Sequence, residues 1–344
     1  MLIWRSRLAN NVATGNGGGL HNDADGIVLI DKSNVRLNTA NAGAGIRNVA
    51  GTVDIQRESR VARNEASDVG GGIFNNDELL VNDSGIRRNR GTRGAGIFNN
   101  FGSVDLTRSD VSWNEGVAFS GGGIANFGPL VVLDSRIRGN SIGNDTQGSG
   151  GGIWHAFDTL TIEGSTVDGN TAFDGAGVRN ISTMYAINST ISSNSSYGSG
   201  GGLYNGNGTG AGDALLQNVT VAHNAAIAGG GGILNDGGSV AVAASIVATN
   251  STDDCSGGVL SVGYNVDGDG TCVLGAVGDL SSVNPLLGPL ADNGGPTPTH
   301  GLENASPARD LAPLAMCPGV DQRDVIRPTP AGGTCDAGAF EGRL

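Results

Sequence analysis

Two aspartates, Asp54 and Asp105, hold equivalent places in two alternating segments, Gly51-Thr-Val-Asp-Ile55 and Gly102-Ser-Val-Asp-Leu-Thr-Arg108. If these segments are strands two layers apart in one stack, roughly 9 to 10 Å separates their backbones, twice the interstrand spacing. Such a separation suits the acid and base of an inverting glycoside hydrolysis. Polar positions facing water are the plainer reading, and no third polar residue converges on the pair.

Other residues suggest other chemistry. Phe74, Phe98, Trp154 and Tyr204 fall in one slot of a recurring phrase and would form a row able to stack sugar rings, although packing under inserted loops explains the same row. His21, His155 and His223 fall on different layers and faces, which assembles no catalytic or metal set. Asn265-Val-Asp-Gly-Asp-Gly270, with Asp253-Asp254, gathers hard oxygens and makes Asp267 and Asp269 candidate calcium ligands. The fragment is shorter than an EF-hand loop, and a turn built by Asp and Gly is the alternative.

Cys255, Cys272, Cys317 and Cys335 all lie in the last quarter, with gaps of 17 and 18 residues inside each pair. Two local disulfides, Cys255 with Cys272 and Cys317 with Cys335, suit that spacing, although four cysteines allow three pairings. Metal ligation is the rival. The chain has no CxxC pair and no His at ligand spacing, which favours disulfides and hence an oxidising compartment.

The elements that must position these residues are repeats. The phrase reads Gly-Gly/Ala-Gly, then Ile, Val or Leu, then any residue, then Asn. Nine copies centre on Leu20, Ile46, Ile73, Ile97, Ile124, Ile153, Val178, Leu203 and Ile233, spaced 24 to 30 residues apart, and only the sixth changes the last position, to His155. A self-similar period of this size marks a repeat architecture.

Each period carries two further apolar segments. One alternates, with Val28, Val53, Leu79, Val104, Leu130, Leu160, Met184, Ala214 and Val240 in a column; the other reads Ser-x-Val/Ile-x-x-Asn, with the column Val35, Val61, Ile86, Val111, Ile137, Val167, Ile191, Val221 and Val247. Period-two alternation over about five residues is a half-buried strand. Three inward columns, one per short strand, predict an all-β coil of ~26 residues, stacked nine to ten times at about 4.8 Å per layer. The coils are expected over 1–250, with an irregular, cysteine-bearing C-terminal cap over 251–344.

The corners complete the repeat. Asn38, Asn64, Asn89, Asn114, Asn140, Asn170, Asn194, Asn224 and Asn250 recur at one of them, where Asn tolerates a left-handed backbone and its amide bonds to the Asn above and below. A shorter hydroxyl ladder is expected from the serines that open the third segment. The Gly tracts take the corner before the first strand, where positive φ or close backbone approach excludes a Cβ.

Composition bounds the function. With 38% hydrophobic residues but 4% aromatic, the core must be narrow and aliphatic. Net charge is -13, and an acidic surface without a basic stripe argues against nucleic acid or an anionic membrane as partner. No apolar run is long enough to span a bilayer. Met1 to Arg7 has no signal-peptide features and starts inside a repeat, so missing upstream sequence is expected.

The Gly-Gly-Gly-Ile copies resemble the GGAI-like motif of chlamydial polymorphic outer-membrane proteins and their bacterial and archaeal relatives; Val or Ile stands where that family's second motif, FxxN, has Phe. The resemblance implies a right-handed, single-stranded parallel β-helix. After Asn250, Asp254-Cys-Ser-Gly257, Gly263-Tyr-Asn265, Asp269-Gly-Thr-Cys272, Asn284 to His300, Ser306-Pro-Ala308, Asp321-Gln-Arg323, Arg327-Pro328 and Cys335-Asp-Ala-Gly-Ala-Phe-Glu341 resemble the choice-of-anchor Q domain. That domain closes the carboxyl end of many secreted bacterial β-helix proteins. Arg309 and Asp324 depart from it, where an aliphatic residue and Gly are usual.

The expected protein is thus an extracellular or cell-surface rod that binds a polysaccharide or another surface protein, for adhesion or glycan contact. No cofactor is expected, a calcium ion at the Asp-rich turn being the one candidate. One alternative is a polysaccharide lyase or glycoside hydrolase working on one face. Another is self-assembly into a filament or surface layer through an open first coil.

Overall fold

The computed structural model describes all residues except 24, 144–146, 209–210, 330–331 and 343–344. Each strand pairs in parallel with its equivalent one period later, so the chain is a parallel β-solenoid of about ten coils and, from the rung spacing, roughly 50 Å long. Every coil crosses the same sheets in the same order. A ten-stranded glycine sheet, from Leu20–Asn22 to Cys255–Ser256, holds the Gly phrases. An eleven-stranded long sheet, from Leu2–Trp4 to Leu260–Gly263, holds the alternating segments, and a twelve-stranded serine sheet runs from Arg7–Ala9 to Leu280–Ser281.

Three strands per coil were expected, and the structure adds a fourth of two residues. These short strands, from Thr39–Ala40 to Ala225–Ala226, follow the Asn corner and form an eight-stranded corner sheet. They are too short and too poor in large apolar residues to show a period-two signal. Most of their inward positions, such as Ala40, Ala66 and Ala172, are small, with the buried Ile142 the large one.

The three predicted columns face inward. Ile46, Ile73, Ile97, Ile124 and Ile153 are fully buried, as are Val53, Leu79, Val104 and Leu160, and Val35, Val61 and Ile137. At about 1.5–3 kcal/mol per buried aliphatic side chain, this core outweighs any one hydrogen bond, which nets about 1 kcal/mol. The hydrogen bonds decide register instead.

Asn114 shows how. Its Oδ1 accepts the backbone amide and the Nδ2 of Asn89, at 2.9 and 3.0 Å, while its own amide and Nδ2 go to Asn140. The predicted Asn from Asn38 to Asn224 share this pattern, with Asn11 joining at the start and Asn250 accepting at the end. The left-handed residue is the one before the Asn, not the Asn itself: Leu37, Arg63, Arg88, Trp113 and His223 have φ of 55°, 55°, 54°, 56° and 57°. A second ladder, unforeseen, links the last residues of the Gly phrases from Asn22 through Asn48, Asn75 and Asn99 to Asn126. Both reasons for glycine operate: Gly121 has φ +67°, and a Cβ on Gly123 would lie 2.6 Å from the Gly152 carbonyl.

The coils do not stop at 250. Strands Cys255–Ser256, Leu260–Gly263 and Val266–Asp267 extend three of the sheets, and the Cys255–Cys272 disulfide ties this last winding together. From residue 284 the chain turns back along the outside of the serine sheet. This tail holds an antiparallel pair, Leu287–Ala291 with Thr299–Leu302, and the Cys317–Cys335 disulfide. Gln322 fastens it: its Nε2 donates to the Ser165 carbonyl and to Thr166 Oγ1, and its Oε1 accepts from Thr190 Oγ1 at 2.6 Å.

Candidate functional site

The tail covers only the later half of the serine sheet. Beneath it the outward residues are mostly uncharged, with Thr166, Thr190, Thr220 and Ile246 buried and Asp168 paired to Arg136. On the earlier, open half arginines recur among them. Strand ends stack in register as Arg36, Ala62, Arg87, Ser112 and Arg138. The left-handed residues that follow add a parallel column of Leu37, Arg63, Arg88, Trp113 and Gly139.

Together these columns line a groove of about 400 Å³ with six arginines, Arg36, Arg60, Arg63, Arg87, Arg88 and Arg138, and no carboxylate. Arg87 and Arg138 both reach Oδ2 of Asp110 at its edge, each at 3.1 Å. Among the described residues, Arg36, Arg60, Arg63 and Arg88 have no ion-pair partner. The expectation of an acidic surface without a basic stripe is therefore corrected. Net charge averages over the chain, whereas a solenoid stacks residues one period apart, and arginines about 25 positions apart become neighbours.

Trp113 stands in this groove, 55% exposed. Its ring lies against Gly139 of the next coil, where a Cβ would meet ring carbons at 2.6 Å. Neither Trp113 nor the arginine columns was singled out from sequence. The signal was present, since the residue before each ladder Asn is as regular as the Asn.

The predicted aromatic row is partly assembled. Phe74 and Phe98 stack at 5.8 Å on the glycine sheet, and Phe127 bridges Phe98 to Trp154, at 5.5 and 4.9 Å, across the gap left by Ala125. Phe101 and Phe157 extend the seam outward and are 67% and 54% exposed. These two and Phe127 sit in turns just after the phrase, outside the repeating slot, so column alignment misses them. Tyr204 stands apart: Arg179 lies over its ring at 3.3 Å, and its hydroxyl donates to Asp236 at 2.8 Å. Burial, then the Asp236 bond, push that phenol above its ordinary range.

Asp54 and Asp105 are two coils apart on the long sheet, as expected, with Leu80 paired between them. Burial, then the charge of Glu78, push the Asp105 carboxyl up. Asp54 accepts from Gln56, and no His or Arg bonds to either aspartate among the described residues. They share a face without forming a cleft.

Asp254, Asp267 and Asp269 bring carboxylate oxygens within 4.8 Å of one another, a set that could hold a hard cation. All six oxygens already accept protein donors. Asp254 takes the Asn250 amide and the Asp269 amide, Asp269 takes Thr271 and the Asp254 amide, and Asp267 takes Gly270, Cys272 and Ser281. That pattern also makes a turn without an ion.

His155 is fully buried and replaces an Asn of the second ladder. Its Nδ1 lies 2.9 Å from Asn126 Nδ2, and its Nε2 lies 3.2 Å from the Asp158 and Thr183 carbonyls. This requires the neutral, Nε2-protonated ring, and burial holds its pKa below the usual range. His223 packs on His300 of the tail at 5.0 Å, and His21 is exposed on the glycine sheet. No family model matches this chain, and neither the curated proteins nor the solved structures include a match to it.

Proposed function

We propose that this chain is an extracellular binding rod that holds glycan chains against its side without cleaving them. The aromatic seam carries the reading: Phe74, Phe98, Phe127 and Trp154 run along the stacking axis, with Phe101 and Phe157 open to solvent. Phe98 is buried beneath the seam, and the exposed rings of Phe101 and Phe157 offer stacking to sugar rings and hold no reacting group. The two disulfides point to an oxidising compartment. Likeness of the tail motifs to the choice-of-anchor Q domain supports a secreted, surface-associated setting. The open geometry around Asp54 and Asp105, with Leu80 between them, favours binding over turnover.

A panel of neutral and acidic polysaccharides, followed for binding and for new reducing or unsaturated ends, tests this. Binding to a neutral glycan that weakens in the Phe101→Ala, Phe157→Ala double variant, with no new chain ends, is expected. Turnover abolished by Asp54→Ala or Asp105→Ala would overturn it in favour of an enzyme.

A further inference from the structure

The open half of the serine sheet faces away from the aromatic seam and has different chemistry. Among the described residues four of its arginines lack a carboxylate partner, on a chain whose net charge is -13. Acidic residues are plentiful enough to neutralise them, yet the groove they line contains none. The Nε atoms of Arg36, Arg87 and Arg138 are shielded from water and have no partner. The outer nitrogens of these guanidiniums stay open to solvent, and a partly shielded guanidinium attracts an incoming anion more strongly than one fully in water.

Spacing narrows the ligand. Arg36, Arg87 and Arg138 recur every second coil, about 9.6 Å apart, with the latter two sharing Asp110, whereas the unpaired Arg63 and Arg88 sit on adjacent coils, about 4.8 Å apart. The longer interval is on the scale of a disaccharide and the shorter on that of one sugar. Trp113 supplies a single flat apolar platform among the charges, held down on Gly139. One ring beside several guanidiniums suits a sugar acid, with its ring face on the indole and its carboxylate in a bidentate Arg fork. A single-stranded nucleic acid calls for several stacking rings along a longer basic track, and the rest of this rod is acidic.

We propose that this groove binds a linear polysaccharide bearing carboxylates at regular intervals, a polyuronate, along the axis of the rod. The tail gives the site its end. Pro296, Thr297 and Pro298 stand beside Arg136 and Arg138, so a bound chain runs from there toward the first coils.

The test is titration of the full chain with oligogalacturonate hexasaccharide, a chondroitin sulfate hexasaccharide, a neutral cello-oligosaccharide and a single-stranded oligonucleotide. Indole fluorescence and calorimetry give the readout at low and high salt. Oligogalacturonate should bind, weaken with salt, and lose at least about tenfold in affinity in the Arg63→Glu, Arg88→Glu variant. Both residues are exposed and unpaired, so the melting temperature should hold. Trp113→Ala should weaken binding and abolish the fluorescence change, while Trp113→Phe should retain part of the affinity. The Phe101→Ala, Phe157→Ala variant should bind oligogalacturonate as the parent does, which separates this site from the aromatic seam. Absence of binding at low salt, affinity indifferent to the charge reversal, or tighter binding of the sulfated chain or the oligonucleotide would each overturn the assignment.

Discussion

Asn250 donates its backbone amide and its side-chain Nδ2 to one oxygen of Asp254, at 3.0 and 2.9 Å, the same two bonds that each ladder Asn makes to the Asn of the next coil. The ladder is directional, since every member accepts from one side and donates to the other. Its last member needs only to accept, and a carboxylate does that. The serine series ends in the same way: Ser245 donates to Asn265, whose amide and Nδ2 both go to Oδ1 of Asp279, at 2.9 and 3.1 Å.

Closing the ladder with a buried acid links stability to pH. Burial pushes the Asp254 carboxyl up to about 6, with the Asn250 bonds opposing and the Asp269 charge adding to the rise. A raised folded pKa contributes stability that is fully present below the unfolded value of 3.8 and lost as pH rises through about 6. A rise from 3.8 to about 6 corresponds to ~3 kcal/mol. Asp254→Asn keeps an acceptor for Asn250 but turns an amide toward the Asp269 N–H. It should cost most near pH 4 and least above about pH 7, by denaturant titration. A cost independent of pH would show that Asp254 does not ionise across this range.

His155 acts in the opposite direction. Its folded pKa is depressed, so its contribution is present above the unfolded value of 6.5 and lost as pH falls below it. His155→Asn should restore an uninterrupted second ladder toward Asn180 and flatten the loss of stability on acidification. Thermal melts below pH 6.5 that drop further in the variant than in the parent would contradict the ladder role.

Deleting a mid-ladder amide should be far costlier than its size suggests. Asn114→Ala removes the two bonds that Oδ1 accepts from Asn89 and the two that Nδ2 donates, to Asn140 Oδ1 and the Ile86 carbonyl, in a fully buried place, and strands the amide of Asn89. We expect a loss of roughly 3 kcal/mol or more in urea unfolding. A cost under about 1 kcal/mol would mean that water replaces the ladder.

Gln322 is the clamp between tail and rod, and its amide bonds to both. Gln322→Ala should release the tail to limited proteolysis between residues 284 and 342 while leaving the coils protected. Equal protection of the tail in parent and variant would shift the clamp's role to the other bonds across the seam, such as the Ala339 amide to Thr220 Oγ1 and Thr297 Oγ1 to the Gly164 carbonyl.

Much of this architecture is written in periodicity. The inward columns and the nine-membered Asn ladder could be read by alignment of the chain with itself, because each residue's main neighbours lie one period away. The disulfide pairs were favoured by spacing among three options. The second ladder was equally regular, yet the phrase's Asn had no stated partner. The aromatic seam was half legible: Phe74, Phe98 and Trp154 share a slot, whereas Phe127, Phe101 and Phe157 come from turns of differing length.

Charge misled because a total cannot show where arginines collect, although the positions of Arg36, Arg87 and Arg138 already implied one column. What tertiary structure alone decided is the place of the tail. Its bonds join residues more than 100 positions apart, such as His300 to Ser192 and Gln322 to Thr166, outside any period. By covering the threonine half of the serine sheet and leaving the arginine half open, that packing determines which of two chemically different surfaces meets solvent.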